Sequence, residues 1–154
     1  MKIFAPAKIN LYLHITGRRE SGYHELDSLV TFADIGDEIE ITEQSSFHFS
    51  VNGPFAEALP GPLESKDING NNLVQRAVKA LCDHLGAHSD LHIALHKNLP
   101  VMAGLGGGSS DAAATLWELC TLWGVPHHAP FLSELLSELG ADVPVCFSCN
   151  SRQV

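Results

Sequence analysis

The sequence predicts an α+β fold, in which strands dominate the first half and helices enter in the second. Residues 9–15 alternate apolar and polar side chains with a period of two, which is typical of a strand. Helical patterns begin only after residue 71, and a glycine-rich segment at 100–110 leads into one of them. This order of elements is the basis for the expected class.

The first half contains four strand patterns and two loops. The strand patterns cover residues 9–15, 23–32, 37–42 and 47–51. A polar turn is expected at 17–22. The stretch 53–70 carries three prolines and three glycines and is expected to be a loop.

The second half contains one strand pattern and three helical patterns, and each helix ends at a glycine. These patterns cover residues 73–85, 91–96, 110–123 and 131–139. Asn71 or Asn72 can cap the first helix, and Gly86 ends it.

Composition indicates an acidic globular protein. The chain has 154 residues, is 45% hydrophobic, and carries eighteen acidic against nine basic residues, for a net charge of −9. Because binding to a nucleic-acid backbone depends on a basic surface, nucleic acid is not expected as the main partner. Neither a membrane span nor a signal peptide is evident, so a cytoplasmic location is expected.

The four cysteines give only a weak chemical signal. Cys82 and Cys120 fall in helical patterns and are expected in the core. Cys146 and Cys149 form a single CxxC pair, which is weak evidence for a metal or redox site. No histidine grouping supports zinc, and no protein-held metal site is predicted.

The segment from Pro100 to Ser110 combines four glycines with two serines immediately before an alanine-rich helix. Glycines allow backbone N–H groups to converge on an anion, and the start of a helix favours negative charge. The segment is neither a Walker loop, since Ser109 follows Gly108, nor a dinucleotide fingerprint. It predicts phosphate binding by another route, with a hinge or tight turn as the alternative.

Residues 100–113, PVMAGLGGGSSDAA, resemble the ATP-binding motif of the GHMP kinases. Segments 5–11, 17–26 and 139–144 resemble further motifs of one branch of that family. The resemblance implies a GHMP-kinase N-terminal domain, with a mixed or antiparallel sheet and helices packed on one side. It also implies ATP and Mg²⁺ as cofactors, and phosphoryl transfer to a small cytidyl-linked polyol in non-mevalonate isoprenoid biosynthesis.

The same resemblance implies that Lys8 and Asp142 are catalytic. Lys8 would stabilise the charge of the transferred phosphoryl group, and Asp142 would accept the substrate's hydroxyl proton. Their side chains should then lie within hydrogen-bonding distance, near the end of the glycine loop. Without this resemblance, the sequence predicts that Lys8 is a solvated surface lysine and that Asp142 is an ordinary turn residue.

The remaining implied contacts divide into nucleotide and substrate sets. The implied nucleotide contacts are Asn72, Leu73, Lys97, Pro100, Val101, Met102, Ala103, Gly104, Leu105, Gly106, Gly107, Gly108, Ser109 and Ser110. The implied substrate contacts are Asn10, Tyr23 and His24. Asn10 would bind the polyol, the Tyr23 ring would stack on cytosine, and His24 would pair with the edge of the base. Asn72 can cap the helix and contact the nucleotide at the same time, and Asn10 could equally be only a solvent-facing strand residue.

Kinases of this family continue into a second domain, and nothing after Cys146 resembles it. We therefore expect a domain at 1–146, a divergent and irregular tail at 147–154, and no second domain. We also expect little activity from the chain alone. It would be a monomer or homodimer, with self-association through an exposed edge of the fold.

Two alternatives stay open. The chain could be another GHMP kinase with a different alcohol, or a non-catalytic module of the same fold that binds nucleotide, RNA or protein. Competition by cytidine distinguishes the first alternative, and stabilisation by Mg-ATP argues against a module that binds only RNA or protein.

Overall fold

The structure is a computed structural model that describes residues 1–18, 22 and 24–150, without the side chain of His24. It consists of five strands and four α-helices, with a short 3₁₀ turn at Ala56–Ala58. In chain order these are β1 (Lys2–Arg18), β2 (His24–Glu43), β3 (His48–Asn52), β4 (Glu64–Ser65), α1 (Leu73–Leu85), β5 (Leu91–His96), α2 (Gly107–Leu122), α3 (Pro130–Leu139) and α4 (Val143–Asn150).

The strands form one mixed sheet in the order β1-β2-β5-β3-β4. All neighbours are antiparallel except β3 and β5, which are parallel and are joined through a crossover that contains α1. Ile41, Ile93 and Phe49 lie in one cross-strand row and are buried under the helices. The neighbouring row, Glu40 with Ala94 and Ser50, points away from the core. The predicted mixed sheet with helices on one side is therefore confirmed.

The first two strands form a long hairpin whose outer half, residues 10–16 with 25–29, is exposed. The prediction of separate strands at 23–32 and 37–42 is wrong, because β2 continues through both. Gly36 makes this possible: a Cβ there would lie 2.3 Å from the Ala5 carbonyl oxygen, so only glycine permits the close pairing. The predicted turn at 17–22 lies partly outside the described residues, and Gly17 and Arg18 belong to β1.

Local signals place most of the helices. Asn72 caps α1, since its Oδ1 accepts a hydrogen bond from the Val74 N–H at 2.9 Å, and Gly86 ends the helix with a φ of 63°. However, α2 begins at Gly107, three residues before the predicted start. Its cap is Gly106, at a φ of 63°. None of the described helices combines the length and the apolar character that a bilayer crossing requires.

The prediction of irregular structure from Phe147 onward is wrong for Phe147–Asn150, which complete α4. Val143, Cys146, Phe147 and Asn150 are buried at helical spacing, so one face of α4 packs against the domain. Cys146 is buried and Cys149 is partly buried on α4, and Cys82 and Cys120 are buried core residues, as predicted. The loop predicted at 53–70 contains the 3₁₀ turn and the short strand β4.

Candidate functional site

An open cavity of about 370 Å³ runs along the glycine loop. Its wall combines the loop with the start of α1 and the end of β5. The predicted nucleotide contacts that line it are Asn72, Leu73, Lys97 and every loop residue from Pro100 to Ser109. Ser110 is not part of this wall, because it is buried in the first turn of α2 and donates its N–H to the Gly106 carbonyl.

The loop backbone is held in left-handed conformations at three positions. The φ angles are 59° at Met102, 74° at Gly104 and 63° at Gly106. These turns deliver the chain to α2, whose first N–H groups have no partner within the helix and carry its positive dipole end. The cavity is therefore edged by backbone donors suited to an anion.

The loop also packs directly on the strand that carries Lys8. The Lys8 N–H donates to the Leu105 carbonyl at 2.8 Å. A Cβ on Gly106 would lie 3.0 Å from the Lys8 Cβ, which leaves little room for a larger residue. The glycine at this position thus permits both the left-handed turn and the close approach to β1.

Lys8 and Asp142 form an ion pair beside this contact. Lys8 Nζ lies 2.9 Å from Asp142 Oδ1 and donates to Asn10 Oδ1 at 3.1 Å. The Lys8 side chain is 3% exposed, and the Asp142 side chain is 47% exposed. The predicted contact is confirmed, and the alternative of a solvated lysine is wrong. A shielded cation thus faces a carboxylate that solvent can reach.

A second open cavity lies between β2 and α4, with a volume of about 540 Å³. Val30 and Phe32 line it from the sheet, and Val145 and Cys149 line it from the helix. In the β1–β2 register, Asn10 pairs with Val30 and Lys8 pairs with Phe32. Because directly paired residues share a face of the sheet, this cavity adjoins the side of β1 that carries Lys8 and Asn10.

A buried charge cluster beneath the loop was not predicted. It consists of Asp37, Lys97 and Asp111, all of which are at most 3% exposed. Lys97 Nζ donates to Asp37 Oδ2 and, at 2.8 Å, to Asp111 Oδ2. Asp37 Oδ1 accepts the backbone N–H groups of Asn98 and Leu99 at 2.6 and 2.8 Å. The cluster therefore ties the start of the loop and the first turn of α2 to the sheet.

The burial of this cluster changes its acid–base properties. Desolvation raises the pKa of Asp111 to about 8, although the charge of Lys97 opposes the shift. Desolvation lowers the pKa of Lys97, but the Asp111 and Asp37 carboxylates outweigh it, so the net shift is upward. One signal in the sequence could have revealed Asp37. It lies two residues before buried Ile39, so the alternation of β2 places its charged side chain on the apolar face of the strand.

Of the two predicted cytidine contacts, Tyr23 and His24, only the backbone of His24 belongs to the described part of the chain. Tyr23 lies outside the described residues. The backbone of His24 pairs with Arg18 at the outer end of the hairpin, ten residues along β1 from Lys8. The structure therefore brings Asn10 to the Lys8–Asp142 pair but does not bring the His24 backbone there.

Residues 72–150 match the family model described as the GHMP kinases N terminal domain. The chain is 50% identical over 144 residues to 4-diphosphocytidyl-2-C-methyl-D-erythritol kinase of Rhizobium etli, covering 93% of this chain and 46% of the relative. It is 51% identical over 143 residues to the enzyme of the same name from Brucella abortus, covering 92% and 46%. The chain thus spans about half the length of these relatives.

Solved structures give the same picture. A crystal structure of 4-(cytidine 5'-diphospho)-2C-methyl-D-erythritol kinase superposes with a TM-score of 0.75 at 37% identity, covering 97% of this chain and 49% of that one. Homoserine kinase from Cytophaga hutchinsonii superposes with a TM-score of 0.60 at 22% identity, covering 90% and 39%. The second likeness supports the fold alone.

Proposed function

The chain belongs to the GHMP kinases through their N-terminal domain, and from that premise we propose that it carries the phosphoryl-transfer site of a 4-diphosphocytidyl-2-C-methyl-D-erythritol kinase. The reaction would transfer the γ-phosphate of ATP to the 2-hydroxyl of that cytidyl-linked polyol. The observation that carries the proposal is the Lys8–Asp142 contact beside Gly106. This contact brings an acid–base pair next to a glycine loop suited to phosphate. Two relatives with that printed name are also about 50% identical to this chain over the aligned residues.

The nucleotide would occupy the cavity along the glycine loop. Its phosphates would accept hydrogen bonds from the free N–H groups at the start of α2, where the helix dipole favours negative charge. Asn72 and Leu73 line the same cavity and would contact the base. The roles of these residues are predictions that rest on their shared position in one cavity.

The acceptor hydroxyl would lie between the phosphate and Asp142. Asp142 accepts the hydroxyl proton as the hydroxyl oxygen forms its bond to phosphorus and the bond from phosphorus to the ADP oxygen breaks. Lys8 stabilises the negative charge on the transferring group, and its burial strengthens that interaction. Asn10, which contacts Lys8, would orient the polyol, and the cavity between β2 and α4 offers room for it.

Magnesium is expected from the kinase chemistry rather than from a protein site. The described part of the chain holds no group of three or more side chains placed to ligate a metal ion. Mg²⁺ would therefore be held by the nucleotide phosphates, as this ion commonly is, and would neutralise their charge.

The test is a full-length chimera in which this chain replaces the corresponding half of the Rhizobium etli relative. We expect the chimera to phosphorylate 4-diphosphocytidyl-2-C-methyl-D-erythritol, and we expect the 154-residue chain alone to show little turnover. A folded chimera that binds Mg-ATP but transfers phosphate only to a different alcohol would contradict the proposed substrate. A chain that Mg-ATP does not stabilise against heat would contradict nucleotide binding itself.

Cytidine recognition has its own test. Tyr23→Leu should weaken competition by cytidine monophosphate for the acceptor site, since an aliphatic side chain removes the aromatic stacking face. Tyr12→Leu, which removes the aromatic ring of a partly exposed tyrosine of β1, is the matched control. Equal effects of the two changes would contradict a specific role for Tyr23.

Self-association and a cytoplasmic location stay predictions.

A further inference from the structure

The charge cluster beneath the loop holds two carboxylates against one ammonium group. Asp37 and Asp111 both contact Lys97 Nζ, and all three side chains are buried. Lys97 and Asp111 also line the cavity assigned to the nucleotide. With both carboxylates ionised, the cluster carries one net negative charge at the edge of an anion site.

The two carboxylates are unequally satisfied. Asp37 accepts from Lys97 and from two backbone N–H groups, so both of its oxygens have partners. Asp111 accepts from Lys97 at Oδ2, whereas its buried Oδ1 has no hydrogen-bond partner among the described residues. A buried ionised oxygen without a partner is unfavourable, and a proton on Asp111 removes that charge. Burial raises the pKa of Asp111 to about 8, in the same direction.

The cluster lies immediately under the anion site. A Cβ on Gly107, the first residue of α2, would lie 3.1 Å from Lys97 Nζ and 3.5 Å from Asp37 Oδ2. Phosphates bound at the start of α2 would therefore be separated from the cluster by about one backbone layer. At such separations, like charges in a poorly solvated environment repel strongly, and protonation of one carboxylate relieves that repulsion.

We propose that Asp111 is a positioning residue that takes up a proton when a nucleotide polyphosphate occupies the glycine loop. The proton makes the cluster neutral, so that Lys97 and Asp37 continue to hold the loop without repelling the phosphates. The inference rests on the nucleotide-binding part of the proposed function and is independent of the acceptor substrate.

Few other titratable groups face Asp111 from the packed elements. Besides Asp37 of β2 and Lys97, directly after β5, Cys146 of α4 interacts with Asp111 and also with Lys8 of β1 and with Asp142. Cys82 of α1 is a further buried thiol of the same core. Burial raises the pKa of Cys146 to about 12 and of Cys82 to about 11, so both stay neutral thiols near pH 8. Lys8 and Asp142 neutralise each other.

The test is isothermal titration of the 154-residue chain with Mg-ATP at pH 8, in buffers that differ in ionisation enthalpy. The slope of binding enthalpy against buffer enthalpy counts the protons exchanged. We expect uptake of about half a proton per nucleotide at pH 8 and about a tenth at pH 7, because a group with a pKa near 8 is half and nine-tenths protonated at those values. Asp111→Asn should bind nucleotide with no such slope.

Asp83→Asn is the matched control, since Asp83 lies on α1 with its side chain 65% exposed, and it should retain the full slope. A second measurement needs no variant: the wild-type dissociation constant should rise up to about tenfold between pH 7 and pH 9. Binding with no proton exchange, or with proton release, would overturn the inference and leave the proposed function intact. Absence of nucleotide binding in every buffer would overturn both.

Discussion

Lys8 Nζ lies 2.9 Å from Asp142 Oδ1, although the two residues stand near opposite ends of the described chain. The first strand supplies the cation, and the turn before α4 supplies the carboxylate. The Cys146 N–H donates to the Asp142 carbonyl at 3.0 Å, so the start of α4 fixes the backbone that carries this side chain. The pair therefore depends on correct docking of α4 against the sheet.

Lys8→Met should reduce kcat of the chimera by a factor of about 10² to 10³, because it removes the cation that we propose opposes transition-state charge. The affinity for Mg-ATP should change much less, since the loop donors stay in place. Steady-state kinetics and nucleotide titration measure the two effects. Lys2→Met is the matched control, because Lys2 is largely exposed and should leave kcat within twofold. A kcat that Lys8→Met leaves unchanged would contradict the assigned role.

Asp142→Asn should lower kcat by about 10² to 10⁴, the range typical for loss of a general base. The double variant with Lys8→Met should lose much less than the product of the two single losses, because groups that act as a unit are not additive. A double-mutant cycle on kcat measures this coupling. Strictly multiplicative losses would show that the two side chains act separately despite their contact.

Local sequence signals predicted the helices better than the site. Asn72 and Gly86 bound α1 because capping depends only on neighbouring residues. The continuity of β2 was missed because it depends on the contact between Gly36 and the Ala5 backbone, which no local pattern reveals. The helical spacing of buried residues in α4 was present in the sequence, but the CxxC pair and polar residues obscured it.

The site shows the same division between local and long-range information. From its own neighbours, Lys8 reads as a solvated lysine, and only the resemblance to a kinase family predicted its contact with Asp142. Asp37 was missed because its partners, Lys97 and the backbone of 98–99, become adjacent only when β5 pairs with β2. Long-range charge pairs of this kind follow from strand register, which a single sequence does not specify.

Gly106→Ala and Gly108→Ala should have opposite effects on stability. The first places a Cβ at a φ of 63° and 3.0 Å from the Lys8 Cβ, and left-handed strain alone should cost about 1 to 2 kcal/mol. The second adds a methyl group where nothing lies within 4 Å, and should stabilise α2 by up to about 1 kcal/mol. Urea unfolding at pH 7 measures both. Equal changes in the two variants would contradict the described loop conformation.

The raised pKa of Asp111 also predicts how stability depends on pH in the absence of nucleotide. The pKa of Asp111 is about 8 in the folded chain, against an ordinary value of 3.8. At pH values between these two, the folded state therefore binds one proton more than the unfolded state. The stabilisation is complete below pH 4 and is lost as pH rises through 8. Asp111→Asn lacks this loss. Between pH 5 and pH 7, the free energy of unfolding of the wild type should therefore fall by about 2 to 3 kcal/mol relative to that of the variant.

Urea unfolding at pH 5, 6 and 7 measures this difference, and Asp83→Asn should run parallel to the wild type, because its side chain is largely exposed. The upward shift of the Lys97 pKa does not interfere, since lysine stays protonated across this window. If wild type and Asp111→Asn also ran parallel, Asp111 would be ionised in the folded chain. Its unpartnered oxygen would then need a cation or donor that the described residues do not supply.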